Sequence, residues 1–147
     1  MSTGEDTRSS LQVITLTPIG HVERDEGGDA LRGDELRDHP SRIVLDPALS
    51  DGLLGLEPGD DITVLCFFHR AERDLLQVHP MGDTSSPLRG VFATRSPARP
   101  NPIAVTSARI QRITGNVLHV VGLDAMRGTP VIDIKSFADA FDAPYSD

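Results

Sequence analysis

The most hydrophobic stretch of this 147-residue sequence is Ile62-Thr63-Val64-Leu65-Cys66-Phe67-Phe68. It is short and rich in β-branched and aromatic side chains, which predicts a central β-strand. Its longest apolar run, Val64–Phe68, is far below the roughly 18–20 residues that span a bilayer, so we expect no membrane helix. Cys66 is expected to be a core residue, because His69 lies three positions later and would face the other side of the strand.

Short segments of similar character recur at close spacing on both sides of this strand. The pattern predicts a mainly-β fold, a small single β-barrel of about seven or eight short strands with one or two short helices. Thr114-Gly115-Asn116 predicts a hairpin turn. The remaining strands are predicted at Leu11–Leu16 with a continuation at Ile19–Val22, and at Ile43–Leu45, Leu75–Val78, Val91–Thr94, Ile103–Ile113, Val117–Val121 and Val131–Ile134.

The connections predict two short helices and one long loop. A helix is expected from Pro47 to about Leu54, because Asp46 precedes it as an N-cap and proline suits the first helical position. Ser136–Phe141 is predicted as the second helix, and Glu23–His39 as a long surface loop. We expect residues 1–10 to be a flexible tail, 11–142 a single domain and 143–147 a second tail.

The charge is acidic overall but unevenly distributed. The formal net charge of −8 argues against a phosphate-binding protein. Residues 84–123, however, contain no Asp or Glu and five arginines, which predicts a locally positive face. Of the 14 basic residues, only Lys135 is lysine, a bias that genomic base composition also explains.

The sequence lacks several familiar signatures. No glycine-rich nucleotide motif occurs, and the five histidines and one cysteine have no metal-ligand spacing, so we expect no metal site. No signal peptide opens the chain, and a single cysteine suits a reducing compartment, so a cytoplasmic location is expected.

The segment from Arg89 to Pro102 contains three prolines within six residues, which predicts a stiff extended loop. Such a loop would hold Arg95, Arg99 and Asn101 in fixed positions suited to an anionic ligand. An equally good interpretation is a surface loop whose arginines pair with acids elsewhere.

A second segment contains the tight turn Gly128-Thr129-Pro130 before the last strand. Its backbone groups would suit the edge of a flat heterocycle. Asp133 and Lys135 share one face of the following strand and predict an ion pair. Alone, this segment is only a turn before a strand.

Together these segments resemble the TsaA-like, or TrmO, family of S-adenosylmethionine-dependent tRNA methyltransferases. The matching residues run in family order over about residues 17–137. They are Pro18–Gly20, Gly52–Glu57, Cys66–Arg70, Gly90-Val-Phe-Ala-Thr-Arg-Ser-Pro-Ala-Arg-Pro-Asn-Pro-Ile103, Leu123-Asp124 and Gly128-Thr-Pro-Val-Ile-Asp-Ile-Lys135.

The resemblance implies a small β-barrel that works as a homodimer and binds S-adenosylmethionine near the subunit interface. It implies methylation of N6 of threonylcarbamoyladenosine at position 37 of certain tRNAs. The implied catalytic residues are Asp133 and Lys135, unless these two form only a structural pair. The implied substrate contacts are Arg89, Arg99 and Asn101, and the implied cofactor contacts are Phe68, His69, Arg95, Val105, Met126, Arg127, Gly128 and Thr129.

The sequence also departs from the family pattern. No copy of the family's Pro-Arg-Gln segment is present, and Arg127 stands where the family has Asp. These departures leave two alternatives open: a methyltransferase or other S-adenosylmethionine-using enzyme acting on a small molecule, and a non-catalytic cofactor-binding module.

Overall fold

Eight strands, two short α-helices and three 3-10 segments make up residues 11–25 and 34–146, the residues that the computed structural model describes. The helices are α1 (Asp34–Asp38) and α2 (Asp139–Asp142), and the 3-10 segments are Pro47–Leu53, Pro80–Gly82 and Val91–Ala93. The strands are β1 (Gly20–Glu23), β2 (Ser41–Leu45), β3 (Asp61–Phe67), β4 (Gln77–Val78), β5 (Arg89–Gly90), β6 (Ile103–Thr114), β7 (Val117–Val121) and β8 (Pro130–Ser136).

Six of these strands form an antiparallel sheet that closes on itself. Their order is β1-β2-β7-β6-β3-β8, and β8 pairs back with β1. Strands β4 and β5 form a separate two-stranded ribbon. The mainly-β prediction is confirmed, with six strands in the closed ring. No helix within residues 11–25 and 34–146 is long and apolar enough to cross a membrane.

The core lies inside the ring, and the alternating burial of side chains along β3 shows how the strand contributes to it. Ile62, Val64 and Cys66 alternate along it and are each 0% exposed, whereas the residues between them face outward. The prediction of Cys66 as a core residue is confirmed, and burial raises the pKa of its thiol to about 12.

Two local predictions are confirmed at the turns. Strands β6 and β7 form a hairpin in which Thr114 pairs with Val117. Gly115 takes φ +60° in this turn, a conformation that favours glycine. The side chain of Asp46 caps the next segment by accepting a 3.0 Å hydrogen bond from the amide of Ala48.

Three predicted elements differ from the structure. Pro47–Leu53 winds as a 3-10 helix, in which the Leu49 amide donates to the carbonyl oxygen of Asp46, three residues earlier, and the Ser50 hydroxyl donates to that of Pro47. Val91–Thr94 is not a strand: the amide of Thr94 donates back to the carbonyl oxygen of Val91 and closes a turn. The short helix expected at Ser136–Phe141 begins at Asp139, since Ser136 still belongs to β8.

The beginning of the chain also differs from its prediction. Leu11–Leu16 has no strand partner among the described residues, although its sequence favours a strand. Pro18, which has no N–H to donate, stands just before the first paired residues. The expected loop Glu23–His39 contains α1, whose Leu36 is 3% exposed. Residues 26–33 of that loop and the expected tail at 1–10 lie outside the described residues.

Candidate functional site

The candidate site lies where three strand ends meet. Strands β6 and β8 both run antiparallel to β3, so they begin beside its carboxyl end. Phe67 pairs with Ile103, and Cys66 pairs with Val131. The three segments that flank these ends are Phe68–His69, residues 91–105 and Met126–Thr129, and we call them together the candidate site. The sequence-predicted cofactor residues all lie in it.

Arg99 organises the loop that forms one side of the candidate site. Its guanidinium donates to the carbonyl oxygens of Val91 and Ser96, at 2.8 Å each, and of Thr94 at 3.3 Å. Its own amide donates to the carbonyl oxygen of Glu72 at 3.1 Å. In this arrangement Arg99 stabilises the loop from within, and its predicted role in substrate binding remains a prediction.

Hydroxyl groups add to the stiffness predicted from the prolines. The amide of Ser96 donates to Thr94 Oγ1 at 3.1 Å, and the amide of Ala98 donates to Ser96 Oγ at 3.2 Å. Pro102 is buried at the end of the loop. Side-chain hydrogen bonds to nearby amides of this kind hold irregular backbone in one conformation.

Arg95 is presented by this stiff loop. Its side chain is exposed and makes no hydrogen bond or ion pair with residues 11–25 or 34–146. An unpaired guanidinium on an ordered loop suits a carboxylate, because its donors are already arranged as a planar fork. Arg89 is also exposed, at the start of β5 opposite Val78, so it belongs to the ribbon beside the loop.

Arg73 holds Asn101 and was missed by the sequence analysis. Its Nε donates to the carbonyl oxygen of Pro100 at 2.8 Å, and its Nη2 donates to Asn101 Oδ1 at 3.1 Å. Its guanidinium also stands 5.9 Å from the ring centre of Phe67. The amide oxygen of Asn101 therefore already has a partner within the protein.

The turn Met126–Thr129 forms the other side of the candidate site. The amide and hydroxyl of Thr129 both donate to the carbonyl oxygen of Met126, at 3.2 and 2.7 Å. The amide of Gly128, which has φ +86°, donates to the carbonyl oxygen of Val22 at 2.8 Å. The Gly128 amide fastens the turn to β1 and the Thr129 amide closes the turn itself, so neither is the exposed backbone donor that the sequence predicts. The exposed parts of the turn are Arg127 and Gly128.

Arg24 anchors the segment that leads into this turn. It is 2% exposed, and its guanidinium donates to the carbonyl oxygens of Ala125 at 2.7 Å, of Leu36 at 2.9 Å and of Leu123. Burial lowers the pKa of Arg24, and the nearby carboxylate of Asp124 opposes that shift. Arg24 lies in the expected surface loop Glu23–His39, and the sequence gives no sign of this role.

Arg127 lies near the ion pair that Arg42 forms with Asp25. Arg42 and Asp25 form a two-pronged ion pair with contacts of 2.8 and 2.9 Å. The pKa of Asp25 is lowered mainly by this pair, and the charge of Arg127 adds to the effect. An acidic partner thus accompanies the arginine that replaces the family's usual Asp.

Val105, Asp133 and Lys135 lie on the outer face of the ring, further along the sheet. Val105 and Asp133 flank Leu65 from opposite sides, and Val105 is 48% exposed. Asp133 Oδ1 accepts from the amide of Ile134 at 2.9 Å, and Oδ2 lies 3.2 Å from Lys135 Nζ. The predicted ion pair is confirmed, whereas a catalytic role for either residue remains a prediction.

The described residues contain no group of three or more His, Cys, Asp or Glu placed to hold a metal ion. The groups that the candidate site offers include arginines, one partly buried aromatic ring at Phe68 and backbone groups. His69 is exposed beside that ring.

Known proteins are similar to this chain over most of its length. The sequence model of the tRNA-methyltransferase O N-terminal domain matches residues 30–143. A protein of Methanocaldococcus jannaschii named "Probable S-adenosyl-L-methionine-binding protein" is 42% identical over 133 residues, which cover 88% of this chain and 96% of that protein. An S-adenosyl-L-methionine-binding protein of Archaeoglobus fulgidus is 42% identical over 131 residues, which cover 88% of this chain and 93% of that protein.

A solved structure has a similar fold. The crystal structure of TrmO from Pseudomonas aeruginosa superimposes with a TM-score of 0.68 at 28% sequence identity. The match covers 92% of this chain and 61% of the TrmO chain. This chain therefore spans about three-fifths of the length of that enzyme's structure.

Proposed function

The chain belongs to the family of the tRNA-methyltransferase O N-terminal domain. From this premise we propose that it is an S-adenosylmethionine-dependent methyltransferase that acts on N6 of threonylcarbamoyladenosine at position 37 of tRNA. The observation that carries the proposal is the unpaired guanidinium of Arg95 on a stiff loop, which ends at Pro102 where the Phe68 amide donates to its carbonyl oxygen.

The residues of the candidate site fit the cofactor. S-adenosylmethionine has a carboxylate, a flat adenine ring and a methyl group that its sulfonium has already activated. The free fork of Arg95 suits the carboxylate, and the half-buried ring of Phe68 suits the flat base. The proposal takes the six-stranded ring to be the small barrel that the resemblance implies.

Methyl transfer requires little acid–base chemistry from the protein. The residues mainly have to hold donor and acceptor in line at near-contact distance. As the N6–C bond forms and the S–C bond breaks, the N6 proton has to leave. We assign Asp133, with Lys135 beside it, to orienting that N–H or accepting its proton.

The acceptor would be held by positive charge. Threonylcarbamoyladenosine carries a carboxylate, and tRNA adds phosphates, so both suit exposed arginines. Arg89 and Arg127 are exposed at the two edges of the candidate site, and residues 84–123 contain no acid. The proposal includes a cytoplasmic location and a homodimer.

A second candidate is a small-molecule methyltransferase or a non-catalytic cofactor-binding module. The net charge of −8 favours it over a tRNA-binding surface. The relatives' names describe cofactor binding, which also fits a module without catalysis.

The first test is calorimetric titration with S-adenosylmethionine. We expect Arg95→Ala to weaken binding at least about tenfold, because a charge-assisted hydrogen bond contributes about 1.5–3 kcal/mol. The matched control is Arg112→Ala, an exposed arginine nine residues after Ile103 on the same strand, roughly 30 Å away. Equal affinity for both variants would contradict the role of Arg95.

The second test is transfer of a labelled methyl group to tRNA. Bulk tRNA with threonylcarbamoyladenosine should be labelled, and tRNA lacking that modification should not. Binding of tRNA should weaken steeply with salt, because phosphate contacts release counterions. Cofactor binding without labelling of either tRNA would favour the second candidate.

A further inference from the structure

The ring is weakly closed between β1 and β8. These strands share two residue pairs, Gly20 with Val131 and His21 with Pro130. The amides of Ile19 and Val22 add hydrogen bonds to the carbonyl oxygens of Val131 and Thr129, so the contact between the two strands ends at Val131. On its other side, β8 pairs with β3 from Val131 to Ser136. Residues 132–136 of β8 therefore have no strand partner on the β1 side within the part of the chain that is described. An unpaired strand edge of this kind can accept another strand.

The residues before β1 are the natural occupants of that edge. Because the pairing is antiparallel and Gly20 faces Val131, a straight extension of β1 would set Thr17 opposite Ile134 and Thr15 opposite Ser136. Residues 11–18 instead pair with no strand and are exposed. We call residues 11–18 the arm.

A slot of about 650 Å³ lies where this extension would run. It is bounded by β8 on one side and by the 3-10 segment Pro47–Leu53 with the residues after it on the other. The amide of Ile134 in the slot donates to the side chain of Asp133 instead of to a neighbouring strand. The apolar side chains that line the slot include Leu45, Leu49, Leu53, Leu54 and Ile134.

The sequence of the arm favours a β-strand, but its side chains are exposed, as expected for a segment without a strand partner. Leu11-Gln-Val-Ile-Thr-Leu16 is rich in residues that favour β-structure. Val13 is 87% exposed, Ile14 81% and Leu16 52%. None of residues 11–18 has a strand partner among the described residues.

We propose that the arm of a second copy of this chain fills the slot, pairs with residues 132–136 of β8, and receives the first copy's arm in return. None of residues 11–18 lines the slot of its own chain, and all of them are exposed, so the arm is available to a second copy. Pro18 has a fixed φ and keeps Thr17 extended, so the hinge is short and stiff. A short stiff hinge favours exchange of an element between identical copies. Each copy fills the slot of the other with its arm, so the exchange gives a closed dimer with twofold symmetry. The inference specifies how the homodimer of the proposed function forms, and its tests measure cross-linking and mass, not methyl transfer.

The test mixes two single variants of the full chain, Thr15→Cys and Ser136→Cys. Residues that face each other on antiparallel strands are close enough for a disulfide or a short bismaleimide link. Cys66 is buried and does not compete. We expect a cross-linked dimer from the mixture of the two variants. A further variant carries both Thr15→Cys and Ser136→Cys in one chain. If its cross-link forms only within one chain, the arm fills its own slot and the proposal is overturned.

A second measurement uses the mass in solution. The wild type should be a dimer of about 32 kDa, twice the 15.9 kDa of one chain. Ile14→Asp with Leu16→Asp should give a monomer, because both side chains are exposed in one copy and buried only after exchange. The control is Phe141→Asp, an equally exposed side chain on α2, which should remain a dimer.

Other outcomes are also decisive. A monomeric wild type, or a dimer that survives the double aspartate change, would overturn the exchange of arms. Cofactor titration of the same samples separates this result from the proposed function, because loss of cofactor binding in the wild type counts only against the methyltransferase.

Discussion

Arg24 and Ala125 are joined by a 2.7 Å hydrogen bond although 101 positions separate them in the sequence. The same guanidinium reaches the carbonyl oxygens of Leu36 and Leu123. One buried side chain thereby connects β1, α1 and the segment that leads into the turn Met126–Thr129. The position of that side of the candidate site depends on this connection.

Arg24→Met should lower the free energy of unfolding by about 3 kcal/mol. The substitution keeps an apolar chain of similar length, but it leaves buried carbonyl groups without donors, at about 1–3 kcal/mol each. Urea denaturation would measure the change. The control is Arg112→Met, which removes an exposed arginine and should change stability by less than about 0.5 kcal/mol. Equal midpoints for the two variants would contradict the anchoring role.

Arg99→Lys should loosen the loop while leaving the core intact. Lysine cannot reproduce the fork that contacts the carbonyl oxygens of Val91, Thr94 and Ser96. Hydrogen exchange of residues 91–101 should quicken about tenfold, since a loss of about 1.4 kcal/mol changes an opening equilibrium by that factor. Arg89→Lys changes an exposed arginine of the neighbouring ribbon and should leave the exchange rates unaltered. Unchanged exchange in Arg99→Lys would mean that the loop is held by its prolines and hydroxyls alone.

The elements that the sequence predicted correctly are those with a local cause. Alternation along Ile62–Cys66 determines which side chains face the inside of the ring, and it is visible in the sequence itself. Gly115 at the hairpin is a second case, because its positive φ is a requirement of the turn and not of distant contacts.

The features that the sequence did not predict depend on partners far along the chain. Arg24 and Arg73 both donate to backbone carbonyls, and every residue has a carbonyl, so no residue type marks the acceptor. The prediction of a strand at Leu11–Leu16 is wrong for a related reason. Its composition favours a strand, but a strand also needs a neighbouring strand edge to pair with. The residues of the candidate site could be named from the family resemblance. The hydrogen bonds by which Arg99 holds its own loop are visible only in the structure.

Cys66 should be unreactive in the folded protein and should make stability depend on alkaline pH. Burial raises the pKa of its thiol from 9.0 to about 12, so the folded state keeps the proton over a range in which the unfolded state loses it. Stability from this group is therefore constant below pH 9.0 and falls as the pH rises toward 12, by up to about 1.4 kcal/mol per pH unit.

Two measurements check this expectation. Ellman's reagent should react with one thiol in denaturant and with none quickly in buffer at pH 8. Denaturation of Cys66→Ala should show a shallower loss of stability between pH 9 and pH 11, because its other titrating groups are the same. Parallel pH curves would show that the thiol titrates alike in both states.

Asp133→Asn should lower the rate of methyl transfer about 100-fold while cofactor affinity stays the same. An asparagine Oδ1 can still accept from the amide of Ile134, but it cannot take a proton, and general base catalysis contributes at least about 10²-fold. Asp61→Asn is a closely matched control, because Asp61 is 47% exposed against 48% for Asp133 and pairs with Arg109 at 2.9 Å. Both variants lose one exposed ion pair, worth less than about 1 kcal/mol, so their melting points should be similar. Equal turnover of the two variants would assign Asp133 to the pair with Lys135 and to the edge of β8, not to catalysis.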